Sequence, residues 1–171
     1  MRALVNARIL EDEGFTTGRT VLVDGARIAA VVAEGDPRAA KAERIDLEGA
    51  HLVPGFVDCQ VNGGGGVLFN DDPSVESIRV IGAAHRRFGT TAFLPTLISD
   101  DFSVIARAIR AVREAIQAGV PGVAGIHIEG PFINELRKGA HDPTKIRDLD
   151  PRDVALLSSL QAGRTLVTLA P

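Results

Sequence analysis

Near the middle of the chain, His127 and Glu129 share the stretch Gly125-Ile126-His127-Ile128-Glu129-Gly130-Pro131-Phe132. Read as a strand, period 2 sends Gly125, His127 and Glu129 to one face and Ile126 and Ile128 to the other. Proline cannot donate to a ladder and glycine punctuates a tight exit, so the strand is expected to stop at Gly130-Pro131. Glu129 then stands at the C-terminal end of a strand whose opposite face is greasy. Barrels and doubly wound α/β folds gather catalytic groups at such ends, where a carboxylate can ligate a metal or move a proton. A carboxylate there can also simply cap the loop that follows. His127 lies two residues deeper and reads as a satisfied core histidine, because a metal ligand needs the open rim.

A second polar set comes earlier. In Val57-Asp58-Cys59-Gln60-Val61-Asn62, alternation puts Asp58, Gln60 and Asn62 on one face and Val57, Cys59 and Val61 on the other. Three polar side chains on one face need partners or a ligand. Gln60 and Asn62 could orient substrate or water, or satisfy a polar strand end; amides serve both jobs. The run Gly63-Gly64-Gly65-Gly66 could cradle phosphate with backbone N–H groups, but it lacks the P-loop lysine. Its simpler role is to let the backbone pass close to a ligand. His141 lies on the loop beyond Glu129, with Arg137 and Lys138 read as solvated charges or, alternatively, as contacts for a phosphate. Cys59 faces the helices by alternation and reads as a core residue.

Elements must hold these groups in place. Residues 3–10 read as a strand, and 20–23 with 27–32 as a hairpin turning at Asp24-Gly25. Residues 44–48 form another short strand, so the opening block is a small β-sheet too small to bury much alone. From residue 52 the pattern changes to strand, helix, strand, helix, strand, helix, strand. Asp72-Pro73 signals the first helix, with Val75, Ile78, Ile81, Ala84 and Phe88 on its apolar stripe. Ser99-Asp100 caps the second, with Ile105, Ala108, Ile109, Val112 and Ile116 on one face. Asp150-Pro151 opens a third helix carrying Val154, Leu157 and Leu160, and residues 164–171 form the fourth strand. Such alternation implies parallel strands with right-handed crossovers. An eight-stranded barrel takes about 250 residues, so the expected fold is α/β, the first four strands of a partial (β/α)8 TIM-type barrel after a small β-block. Unpaired strand edges are avoided or covered in native proteins, which suggests an N-terminal piece of a longer polypeptide.

Composition narrows the classes. Of 171 residues, 45% are apolar and 24% charged, which suits a soluble globular chain. A net charge of −3 offers no basic footprint for nucleic acid or an anionic membrane. No apolar run reaches the roughly 18 residues of a membrane span, and the start reads as strand, so the cytoplasm is expected. Cys59 is the sole cysteine, which excludes an internal disulfide or a cysteine-rich zinc site.

Several motifs together carry a resemblance. Val53-Pro54-Gly55-Phe56-Val57-Asp58 after a β-block resembles the opening of the amidohydrolase superfamily. Gln60–Val67, Gly89–Thr96, His127–Phe132, Lys138-Gly139-Ala140-His141-Asp142-Pro143 and Val167–Pro171 resemble, in order, the N-acetylglucosamine-6-phosphate deacetylase family. The resemblance implies a (β/α)8 barrel with a side β-sandwich built from both chain ends, in a homodimer. Residues 1–51 would be the N-terminal part of the sandwich and 52–171 the first half of the barrel. It implies hydrolysis of N-acetylglucosamine 6-phosphate to glucosamine 6-phosphate and acetate. It makes Glu129 a metal ligand and places Ala140 and His141 over the substrate. Two further metal histidines and an acid/base aspartate are implied on later strands, so no catalytic acid or base is expected in this chain. Where many amidohydrolases carry His-x-His and two metals, this chain has Gln60 and Asn62. Neutral amides are poor ligands, so one divalent ion, zinc or iron, is expected near them rather than two.

Two rival readings stand beside this one. A dihydropyrimidinase or dihydroorotase relative would carry His-x-His in place of Gln60 and Asn62. A catalytically inactive fragment acting as an assembly module would need no complete site.

Overall fold

The computed structural model describes residues 1–170; the last residue of the expected fourth strand, Pro171, lies outside them. Two compact units divide the chain, Met1–Pro54 and the remainder from Gly55.

In the first unit the expected strand over 3–10 is two strands, β1 (Arg2–Val5) and β2 (Arg8–Glu11). They are parted by Asn6, whose φ of 55° breaks the extended path. β3 (Gly14–Thr16) follows, then the hairpin of β4 (Arg19–Asp24) and β5 (Arg27–Ala33). Asp24 pairs with Arg27, so the two-residue turn is Gly25-Ala26 rather than Asp24-Gly25, a shift accommodated by a bulge at Leu22/Val23. β6 (Glu43–Asp46) and β7 (His51–Leu52) complete the unit. They make two sheets of order β5-β4-β1-β6 and β3-β2-β7, mixing antiparallel and parallel pairs. Ala3, Val5, Leu22 and Val32 bury one small cluster, and Ala7, Ile9 and Val21 another.

The second unit opens with β8 (Phe56–Val61) and the short hairpin β9 (Gly63–Gly64) and β10 (Val67–Leu68). Then come α1 (Val75–Arg86), β11 (Thr90–Ile98), α2 (Phe102–Gln117), β12 (Gly125–Ile133), α3 (Pro151–Leu157) and β13 (Arg164–Ala170). All pairs in the sheet β13-β12-β11-β8 are parallel, so the expected alternation delivers a parallel half-barrel. One face of that sheet is apolar: Ile126 and Ile128 join Ile78, Ile81, Ile105, Ile109 and Val112 in a single buried cluster. No helix among the described residues is long and apolar enough to cross a membrane.

Local chemistry moves several expected boundaries. α1 is capped by Ser74, whose hydroxyl accepts from Ser77 N, while Asp72 accepts from the Ser74 and Ser77 hydroxyls. Phe88 falls beyond that helix and is 79% exposed, so it is not on the stripe. The cap of α2 is Asp101, not Ser99-Asp100. The Asp150-Pro151 start of α3 holds, with a reciprocal capping box between Asp150 and Asp153. Leu157 and Leu160 are buried but Val154 is half exposed. Cys59 and Val57 are exposed too, contrary to the core reading, because β8 is paired only with β11 and nothing described covers its outer side. β12 does not stop at Gly130-Pro131. The ladder to β13 lapses after Glu129 and resumes at Ile133↔Ala170, with Gly130 at φ 82° turning the chain through the gap.

Candidate functional site

The polar face of the half-barrel starts with a buried band. Thr96 Oγ1 accepts from Val61 N at 2.8 Å and lies 3.2 Å from His127 Nδ1, while His127 Nε2 lies 2.8 Å from Thr168 Oγ1. One residue from each of four neighbouring strands is therefore tied into one network. His127 is 2% exposed with both ring nitrogens engaged, as the core reading expected. Burial pushes its pKa down, the nearby Glu129 charge pulling weakly the other way.

Glu129 sits one layer higher, opposite Ile98 on β11 and Thr168 on β13. Its Oε2 accepts from Gln60 Nε2 at 2.9 Å, joining the last turns of β8 and β12 across the sheet. His141 Nε2 stands 3.8 Å from Glu129 Oε1, and its Nδ1 is 2.7 Å from Ser99 Oγ. These three side chains open into a cleft of about 560 Å³ that Asn62, Asn70, Lys138 and Ala140 also line. The residues singled out as Gln60, Asn62, Glu129, Ala140 and His141 thus meet in one place. Asp58 does not line the cleft; its Oδ1 instead accepts from Gln60 N at 3.1 Å.

The glycine run has another job. Gly63 and Gly64 pair with Leu68 and Val67 in the hairpin, and Gly63 O lies 2.9 Å from His85 Nε2 of α1. None of the four lines the cleft. Lys138 and Arg137 line it, Arg137 remaining exposed as the solvated reading expects, and Lys138 Nζ donates to His141 O at 3.4 Å. Sequence reasoning missed Asn70 and Ser99. Asn70 acts as a false strand: its Oδ1 accepts from Ile98 N at 3.0 Å and its Nδ2 donates to Ile98 O at 3.2 Å, fixing the end of β11. An asparagine soon after a glycine run was its only signal. Ser99 had been absorbed into a helix cap.

The fit to a metal is partial. Glu129 offers a side chain that is 21% exposed at the rim, with one oxygen free of the Gln60 amide. No group of three or more His, Cys, Asp or Glu gathers among the described residues, whereas a catalytic zinc takes three protein ligands. The residues present supply one carboxylate and do not complete a coordination set.

A carboxylate at the C-terminal mouth of parallel strands stands where barrel-type α/β enzymes place their active sites. No family model matches the chain. It is 48% identical over 125 residues to the N-acetylgalactosamine-6-phosphate deacetylase of Shewanella sp. (strain ANA-3), covering 73% of this chain and 32% of that protein. It superposes on the crystal structure of N-acetylglucosamine-6-phosphate deacetylase from Pasteurella multocida with a TM-score of 0.90 at 34% identity, over 98% of this chain and 44% of that one. A Mycobacterium smegmatis deacetylase mutant, solved in complex with N-acetyl-D-glucosamine-6-phosphate, gives 0.85 at 31% identity over 99% of this chain and 43% of that one. In sequence and fold the chain corresponds to the N-terminal part of this deacetylase family of amidohydrolases. It spans less than half the length of these relatives.

Proposed function

We propose that this chain is the N-terminal portion of a metal-dependent amidohydrolase that cleaves the N-acetyl group of N-acetylglucosamine 6-phosphate, releasing glucosamine 6-phosphate and acetate. The observation that carries the reading is the Glu129–Gln60–His141 cluster at the strand ends of a fold shared with solved deacetylases. Glu129 is the ligand this chain supplies to one divalent ion, zinc or iron. Held by Glu129 and ligands from later strands, such an ion would supply Lewis-acid chemistry toward the acetamide carbonyl and an acidified water. Gln60 holds the Glu129 carboxylate by its amide, and Asn62 presents a second amide to the same space. Ala140 and His141 bring the loop after β12 against the substrate. The remaining ligands and the acid/base aspartate come from later strands of an eight-stranded barrel. Residues 1–51 belong to a small β-sandwich shared between both ends of the longer polypeptide, which acts as a cytoplasmic homodimer.

One finding favours a second reading of the substrate. The 48% identical Shewanella relative is named for the galacto epimer, so N-acetylgalactosamine 6-phosphate is the alternative. Acetate release from both sugar phosphates, assayed on the full-length protein with and without added metal, tests the proposal. The expected outcome is metal-dependent release from one epimer over the other. No release from the 171-residue chain, with release restored by the complementary half, would show that the site is divided as proposed. Absence of release from either sugar phosphate by the full-length protein would overturn it.

A further inference from the structure

Ser99 is buried just past the end of β11, and its hydroxyl has a single side-chain partner, Nδ1 of His141 at 2.7 Å. His141 belongs to a long loop and would otherwise have many rotamers open to it. Its side chain is only 11% exposed, and its other nitrogen, Nε2, points at Glu129 Oε1 across 3.8 Å. A Ser99 hydroxyl that donates to Nδ1 leaves Nε2 as the nitrogen that can carry the N–H of a neutral ring. Neighbouring backbone protects this arrangement. A Cβ on Gly130 would lie 2.3 Å from Ser99 Oγ, so only glycine leaves the hydroxyl its place.

We infer that Ser99 is a positioning residue: by donating to Nδ1 it holds His141 as the Nε2–H tautomer, with that N–H directed into the cleft beside Glu129. The inference rests on the proposed placement of His141 over the substrate. There the N–H donates to an oxygen of the bound sugar or of the amide under attack. Ser99 itself touches neither. Its effect is on the orientation and protonation pattern of the ring, as the outer partner of a working histidine.

The test uses the full-length protein in wild-type, Ser99→Ala, Ser99→Thr and His141→Gln forms. Long-range ¹⁵N–¹H correlation reads the His141 tautomer, assigned from the signals that His141→Gln removes. Steady-state kinetics with the sugar phosphate reads KM and kcat, and circular dichroism checks the fold. In Ser99→Ala the His141 nitrogens should shift from one tautomer to a mixture, and kcat/KM should fall about five- to tenfold. Ser99→Thr, which keeps the hydroxyl, should restore both. A His141 spectrum unchanged in Ser99→Ala would overturn the inference, as would a Ser99→Thr variant that fails like alanine while folded. Should His141→Gln leave the kinetics untouched while the tautomer still collapses in Ser99→Ala, the substrate role of His141 fails and the positioning by Ser99 stands.

Discussion

Glu129 is held by a neutral amide, since Gln60 Nε2 donates to Oε2, and among the described residues the His141 ring stands beside Oε1. A carboxylate held this way carries, in its ionised form, the charge that a divalent cation seeks. Glu129→Gln preserves shape and can still accept from Gln60 while removing that charge. If the proposed deacetylase reading is right, Glu129→Gln in the full-length protein should lose metal content by elemental analysis and at least about 100-fold in acetate release, beyond what outer-shell partners cost. His127, below it, has the opposite character. Burial lowers its pKa from 6.5, so the unfolded chain binds a proton more readily than the folded one. Stability should therefore be full above pH 6.5, and should decline as pH falls from there until the folded ring itself protonates. Urea midpoints measured across that range in wild type and His127→Gln test this; the variant should lose that limb of the curve.

Strand ends rather than helices decide the geometry of the cleft. β11 is held by the Asn70 side chain, β12 swings through the Gly130 gap, and β8 is tied to β12 by the Gln60–Glu129 bond and the Thr96 relay. The beginning of β12 is equally tight. A Cβ on Gly125 would lie 1.8 Å from Arg164 O on β13, and backbone cannot step aside as a flexible side chain can. Gly125→Ala should cost about 3 kcal/mol in a denaturant titration, at the upper end of overpacking penalties, and should perturb β13 first in hydrogen exchange. A neutral outcome would mean the β12–β13 register is looser than described. The long loop after β12 is tethered as well. Lys145 pairs with Asp101 at the start of α2, and Arg147 lies 3.9 Å over the Phe102 ring while bonding Asp153 at 3.2 Å. These contacts keep the His141 loop near the strand ends.

Among the described residues, β8 and β13 are each paired on one side only within the parallel sheet. Leu166 and Leu169 on β13 are 41% and 50% exposed, and Val57 on β8 is 67% exposed. Open edges with apolar side chains invite pairing with other chains. The 171-residue polypeptide, studied alone, should therefore self-associate with rising concentration in sedimentation velocity. A charge on the edge, Leu169→Lys, should reduce that association. A strictly monomeric profile across a wide concentration range would show that these edges are protected.

Periodicity alone revealed the alternation of strands and helices after residue 52, the apolar face of Ile126 and Ile128, and the position of Glu129 at a strand end. These features are local: side-chain period follows from backbone geometry, and a β-strand must alternate wherever it lies. The meeting of Gln60, Glu129 and His141 was anticipated only through the resemblance, since partners 69 and 42 residues apart in pairs such as Gln60–Glu129 and Ser99–His141 leave no periodic trace. What was misread had a common origin. Cys59, Phe88, Ser99 and the glycine run were assigned from neighbours in sequence, while their surroundings depend on which strand lies at an edge and which loop folds back. Burial and hydrogen bonding are properties of contacts distant in the chain, so only the packed structure could decide them.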